Sequence, residues 1–422
     1  MTEATQSSSS ADPMQADDSA TGVEGSSLPR VLQVLPALEI GGGGVERAAL
    51  DIAEALARAG TVPVVASAGG RHVPTLERRG AVHITLPLAS KNPLVIRRNI
   101  DRLAAVITDF GIGLVHARSR APAWSALFAA RRAGVPFVTT FHGTYNFGGG
   151  PRGLLKKRYN SVMTRGDRVI ANSYFIADHI RAHYGVPEER LRVVPRGIDV
   201  DVFDPAMVSA PRIIDLANRW QLPDGRTIVM LPGRLTRWKG HMLLIEALAE
   251  LKSVRAARNP GAEFDILALF VGSDQGRSAY RNELENAIAS RGLGGQVQIL
   301  GHCDDMSAAY MMADVVVSAS TDPEAFGRIV AEAQSMGRPV VVADHGGAAE
   351  QVRSGETGWL FAPGNAGSLT RALDQALSVT AERRAAISAA SQAHVRRHYT
   401  RRGMCAATLA IYAELAQTMA AA

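Results

Sequence analysis

The chain has 422 residues, 46% hydrophobic and 20% charged, the balance of a soluble globular protein with room for two or three domains. Its two cysteines, Cys303 and Cys405, exclude a disulfide framework or a Cys-rich metal site and point to a reducing compartment. The formal net charge is +6, no apolar run approaches the roughly 18 residues of a membrane span, and the N-terminus lacks the basic and apolar segments of a signal peptide.

Residues 1–29 are rich in Ser, Asp, Ala and Gly and carry five acids with no Lys or Arg, so a disordered tail is expected there. From Val31 onward short β-branched runs alternate with amphipathic stretches. Strands are predicted at Val31–Leu35, Val62–Ser67, Val82–Leu86, Leu114–Ala117, Phe137–Phe141, Val169–Ala171 and Arg192–Val194, with helices such as Val45–Ala59, Pro93–Phe110 and Ala123–Ala133 between them. Asp-Pro and Ala-Pro dipeptides punctuate the chain around Asp204–Asp215. A second series follows, with strands at Ile228–Leu231, Phe264–Val271, Val297–Leu300, Val315–Ser318 and Val340–Ala343 and helices at His241–Lys252, Ser278–Arg291, Ile329–Met336 and Ser368–Ala376. Such alternation implies parallel strands with crossover helices. The expected fold class is α/β, two Rossmann-like doubly wound domains facing a cleft, with the first at 30–205, the second at 206–395 and a last helical segment at 396–422. Ligands of such sheets bind beyond the carboxyl ends of the strands.

Four motifs fall at those ends. Gly41-Gly42-Gly43-Gly44-Val45-Glu46-Arg47 follows the first strand and opens a helix, where glycines allow close backbone approach and free N–H groups face an anion. A flexible turn is the plainer reading. A dinucleotide fold is disfavoured, because the second strand ends Ala66-Ser67-Ala68-Gly69 without the ribose-binding acid. Phe141-His142-Gly143-Thr144 ends a central strand and would project His142 into the cleft; a buried structural histidine is the alternative. Gly233-Arg234-Leu235-Thr236-Arg237-Trp238-Lys239-Gly240 joins a strand end to a helix, and its cations suit a diphosphate, although a solvated basic turn would look similar. Its order is not that of a Walker loop.

The fourth motif, Asp322-Pro323-Glu324-Ala325-Phe326-Gly327-Arg328-Ile329-Val330-Ala331-Glu332-Ala333, places Glu324 on an entry loop, Gly327 near a helix start and Glu332 one to two turns further on. On one helix the two acids would be turned ~80° apart and set ~12 Å along the axis, too far for a hydrolytic pair. Carboxylates so separated suit a ligand with distant hydroxyl groups, with the N–H groups of Phe326 and Gly327 facing an anion between them. Acids near a helix start also favour its dipole without any ligand. No D-x-D, H-E-x-x-H or Cys pair suggests a metal site.

In order and spacing, the four motifs resemble the GT-B retaining glycosyltransferases of the group-1 (family-four) class, over roughly residues 31–400. Arg168-Val169-Ile170-Ala171-Asn172-Ser173, Val193-Val194-Pro195-Arg196-Gly197-Ile198-Asp199 and Gly346-Gly347…Glu350 support the likeness, and Glu324 and Glu332 resemble its E-x7-E signature. The resemblance implies that Gly43 and Gly44 lie near the donor phosphate and acceptor, and that His142 contacts the transferred sugar. It further implies that Arg234 and Lys239 bind the diphosphate and stabilise its departure, that Glu324 faces the donor sugar and that Glu332 holds the ribose. Phe326 and Gly327 would complete the donor site. No metal or other cofactor is implied, only a nucleotide-diphosphate sugar as donor and front-face displacement with retention. Two positions depart from the commonest pattern: Arg196 stands in place of Asn, and Arg328 in place of an apolar residue. The helix over Met404–Ala416 is implied to cross back onto the first domain.

A nucleotide-sugar epimerase of the same architecture and a non-catalytic nucleotide-sugar binder are the rival readings; an epimerase would act on donor alone. Residues 30–205 hold 24 basic and 14 acidic residues, against 22 and 21 in 206–422, so the excess positive charge lies in the half that the resemblance assigns to the acceptor. Arg152-Gly153-Leu154-Leu155-Lys156-Lys157-Arg158-Tyr159 mixes cations with leucines. It suggests a cytoplasmic enzyme docking peripherally on the anionic inner membrane face, with a glycan or lipid-linked acceptor of cell-envelope polysaccharide or lipopolysaccharide synthesis and no nucleic-acid partner. A solvated basic helix face is the alternative.

Overall fold

The computed structural model describes residues 28–39 and 44–421. The expected tail lies outside the described residues except for its last two positions, and so does Gly43. Seven strands form the first sheet: β1 (Val31–Val34), β2 (Val64–Ser67), β3 (Val82–Thr85), β4 (Leu114–Ala117), β5 (Phe137–Phe141), β6 (Arg168–Ala171) and β7 (Leu191–Val193). Their order is β3-β2-β1-β4-β5-β6-β7. The second sheet holds β8 (Thr227–Pro232), β9 (Ile266–Val271), β10 (Val297–Leu300), β11 (Val315–Ser318), β12 (Val340–Ala343) and β13 (Gly358–Phe361), in the order β10-β9-β8-β11-β12-β13. Every named pairing is parallel, as a β-α alternation requires. Both sheets are doubly wound.

Period-two alternation divides each strand between two cores. In β8, Val229 and Leu231 pack with Leu244 and Leu248 of the helix His241–Arg258, while Ile228 and Met230 face Tyr310, Val330 and Leu216 on the other side. In the first sheet, Leu32, Val115 and Val169 face one core, and Val31, Leu114, Val138 and Ile170 the other. That second face is closed by Ile52 and Leu56 of the helix Gly44–Arg58 and by Ile411, Tyr412 and Leu415 of the helix Arg401–Ala420.

Several polar groups buried on this face find partners. Tyr412 Oη lies 2.6 Å from His116 Nδ1, and His116 Nε2 lies 2.7 Å from Thr140 Oγ1. Arg118 donates from Nε to Gln33 Oε1 at 2.8 Å. At the junction, Ile198 N donates to Tyr399 O (2.8 Å) and Arg401 N to Ile198 O (2.7 Å), so the outgoing and returning segments run side by side. A Cβ on Gly197 would stand 2.1 Å from Thr400 O, which is why glycine occupies that crossing.

Strand β13 carries no motif and follows a Gly- and Thr-rich turn, and the sequence reading passes over it. It is one of the sheet's two edge strands, with Gly358 pressed so close to Val340 that a Cβ would sit 2.5 Å from its O.

His241 is fully buried at the start of its helix, with its ring edge-on to Phe270 at 5.1 Å between centroids. Burial, and next Lys239, push its imidazole down to about 4. The unfolded chain binds a proton below about pH 6.5 that the folded chain refuses, so this contribution to stability is lost as pH falls from 6.5 towards 4. H241F should therefore weaken acid sensitivity, gaining about 2 kcal/mol relative to wild type between pH 7.5 and pH 5 in urea unfolding. An unchanged pH dependence would refute it.

Candidate active site

The carboxyl ends of both sheets face one cleft of about 950 Å³. Gly44, His142 and Arg196 line it from the first domain, and Arg234, Lys239, Glu324, Phe326, Gly327 and Glu332 from the second. The structure thus brings together Gly44, His142, Arg234, Lys239, Glu324, Phe326, Gly327 and Glu332.

The donor-side loops are held by close backbone approaches. Gly240 has φ +77°, and a Cβ there would lie 1.8 Å from Ala319 O, so the basic loop presses on the end of β11. Gly327 has φ +81° and caps the helix Arg328–Ser335; a Cβ there would stand 2.7 Å from that of Ala348. The Glu324–Gly327 turn is further pinned by Gly347 N donating to Glu324 O (2.8 Å) and by Gln351 Nε2, which donates to the carbonyls of Phe326, Gly327 and Gly347.

On this frame Lys239 Nζ lies 2.8 Å from Glu324 Oε1, which also accepts from Ser320 Oγ at 2.6 Å. Burial works to raise the Glu324 carboxyl, but Lys239, Ser320 and His345 outweigh it and leave it below its ordinary value. Lys239 also lies 4.5 Å from the Trp238 ring centroid. Arg234 is exposed at the cleft, with no carboxylate within ion-pair distance among the described residues. Arg237 is turned away into an exposed pair with Glu283, so two of the loop's three cations face the cleft.

Glu332 is braced from both sides. Arg328 NH2 reaches Oε1 at 2.9 Å across one helical turn, and Tyr310 Oη donates to Oε2 at 3.0 Å. Burial nevertheless raises its carboxyl above the ordinary value, against the pull of Arg328, Tyr310 and Arg47. In the first domain, Arg196 NH2 lies 2.8 Å from His142 Nδ1, and Arg118 is buried nearby. No sequence motif marked Tyr310, Ser320 or Arg118, because each is set by which element packs beside it. Among the described residues no cluster of His, Cys, Asp and Glu could hold a metal ion.

A two-domain parallel α/β fold with a cationic cleft at both strand ends defines a GT-B-type transferase scaffold. Residues 42–202 match Glycosyltransferase Family 4, and residues 214–393 match Glycosyl transferases group 1. The chain belongs to the group-1 glycosyltransferases. A glycosyltransferase from Rickettsia africae ESF-5 superposes with a TM-score of 0.83 at 34% identity, over 92% of this chain and 98% of that one. D-inositol 3-phosphate glycosyltransferase 1 of Catenulispora acidiphila is 29% identical over 70% of this chain and 74% of its own length. The matches to three other D-inositol 3-phosphate glycosyltransferases cover 55–58% of their lengths. Anabaena Alr3699/HepE in complex with UDP-glucose shares the fold, with a TM-score of 0.73 at 23% identity over 93% of this chain and 100% of that one.

The Lys239–Glu324 pair is nearly buried, so removing one partner strands a charge. K239M should lower the unfolding free energy by about 3 kcal/mol, and K239M/E324Q should recover most of that loss in denaturant titrations. Equal stability of K239M and wild type would show that the pair carries no such coupling.

Proposed function

We propose that the chain is a metal-independent retaining glycosyltransferase that moves a sugar from a nucleotide-diphosphate sugar to a glycan or lipid-linked acceptor in cell-envelope polysaccharide or lipopolysaccharide synthesis. The observation that carries this reading is the facing of Arg234, Lys239, Glu324 and Glu332 on one side of the cleft by His142 and Gly44 on the other. The Anabaena structure, a complex with UDP-glucose, supports a nucleotide-sugar donor.

Arg234 and Lys239 neutralise the diphosphate as the glycosidic bond breaks, and the acceptor hydroxyl attacks from the face that the diphosphate leaves. Lys239 can be drawn from Glu324 to the diphosphate when donor enters, which frees the Glu324 carboxylate for the sugar. Glu332 holds the ribose hydroxyls, His142 contacts the transferred sugar, and Gly44, Phe326 and Gly327 shape the phosphate and acceptor boundary. Preorganised positive charge at the leaving group is the main contribution to rate. Nucleotide diphosphate release from a donor panel, with acceptor present, tests these roles. R234A should lower turnover about 100-fold, and wild-type activity should survive EDTA. Wild-type turnover in R234A removes Arg234 from the mechanism; loss in EDTA restored by magnesium or manganese overturns metal independence.

We also propose peripheral docking on the inner face of the membrane, from the cytoplasm. The helix Gly150–Asn160 leaves Leu154 and Leu155 each 70% exposed beside exposed Arg152, Lys156 and Arg158. No helix among the described residues is long and apolar enough to cross a membrane. Leucines entering the interface, with ~1 kcal/mol from each cation near anionic headgroups, suffice for reversible binding. The chain should co-sediment with anionic vesicles at low salt and less at high salt, and K156E/K157E should bind weakly under both. Equal binding by the variant would remove this helix from the interaction.

A further inference from the structure

Arg196 stands where the family's junction motif commonly has Asn, and it is only 6% exposed. One terminal nitrogen, NH2, lies 2.8 Å from His142 Nδ1. The other, NH1, lies against Gly44, where a Cβ would come within 1.9 Å of it. The guanidinium is thus clamped between the start of the helix Gly44–Arg58 and the histidine that lines the cleft.

The direction of the Arg196–His142 hydrogen bond is dictated by chemistry. A guanidinium has only donors, so Nδ1 must offer its lone pair, and the ring proton of a neutral imidazole must then sit on Nε2. Protonating both nitrogens would set an N–H against an N–H and a cation against a cation. Burial first, and then Arg196, Arg118 and His116, hold the imidazole well below its ordinary range. His142 Nε2 is buried without a protein partner among the described residues, although its ring lines the cleft. A buried donor of that kind is worth forming only if something in the cleft accepts from it.

We propose that Arg196 is a positioning residue that locks His142 in its Nε2–H tautomer, so that the ring presents a hydrogen-bond donor, not a base, to a sugar hydroxyl. The proposal rests on reading His142 as a contact of the transferred sugar. It assigns a role to the Asn-to-Arg departure: an Asn side chain is too short to fill the space under Gly44, and its amide can donate or accept. Arg196 removes that ambiguity. Gly44 is part of the same device, since any side chain there displaces the guanidinium.

Histidine ¹⁵N spectra of the full chain without ligand, with the His142 signals assigned by their loss in H142A, read the tautomer directly. Wild type should show a pyridine-like Nδ1 and a protonated Nε2; an Nδ1–H ring overturns the proposal. R196L and G44A should each shift His142 towards a mixture of tautomers. R196K, which keeps one N–H donor, should restore the wild-type pattern. Should R196L not fold, the wild-type and G44A spectra still decide. An unchanged G44A spectrum, or an unchanged R196L spectrum from folded protein, counts against the lock. In sugar transfer, R196L should lower kcat about tenfold or more with little change in donor KM, and R196L/H142A should be no slower than H142A. Additive losses would mean that Arg196 acts elsewhere. H142A at the wild-type rate would instead overturn the sugar contact, leaving the tautomer to be judged from the spectra.

Discussion

Arg196 is a buried charge in the wall of the cleft, and the surrounding electrostatics must compensate it. Burial and the neighbouring Arg328 and Arg118 push its guanidinium down to about 9, and Asp51 and Glu46 offset part of that penalty. Asp51 is itself buried and lies 3.8 Å from Arg47 and 3.9 Å from Arg401. Arg401 also reaches Glu54 at 3.4 Å and Asp199 at 3.2 Å, which ties the cleft's electrostatics to the segment where the chain crosses between domains.

The donor-side domain solves a different problem, that of holding paired carboxylates and cations in fixed places. Glycines at 240, 327, 346 and 347 allow backbone segments to approach more closely than any side chain would permit. Gln351 then ties three carbonyls of two converging turns with one amide. Rigidity here comes from backbone contact, so Glu324 and Glu332 are positioned before any ligand arrives. Such preorganisation avoids reorganisation at the moment of bond breaking.

Most of the fold was legible because both sheets are parallel and most strands are short, largely apolar runs. Observed boundaries such as Leu114–Ala117, Val297–Leu300 and Val340–Ala343 coincide with those runs. The edge strand Gly358–Phe361 was missed because its pattern is short and half-exposed. The candidate site was legible where residues cluster in sequence, as at Gly233–Gly240 and Glu324–Glu332. It was not legible where contacts are long-range: Ser320 on Glu324, Tyr310 on Glu332 and Arg118 on Gln33 depend on packing. Arg196 and Arg328 registered only as departures from the family pattern, and their mutual influence across the cleft emerges only with the fold.

The helix Arg401–Ala420 has a consequence for how the chain is made. The last strand of the first sheet ends at Val193, yet one face of that sheet is closed by Ile411, Tyr412 and Leu415 from the far end of the chain. About two hundred residues, including the whole second sheet, leave the ribosome in between. At translation rates of 5–20 residues per second, that interval lasts roughly 10–40 s. Throughout it Val31, Leu114, Val138 and Ile170 are covered by Ile52 and Leu56 but lack Ile411, Tyr412 and Leu415. The nascent first domain is thus an apolar half-sandwich awaiting its lid, and it is in this window that a chaperone would find a surface to hold.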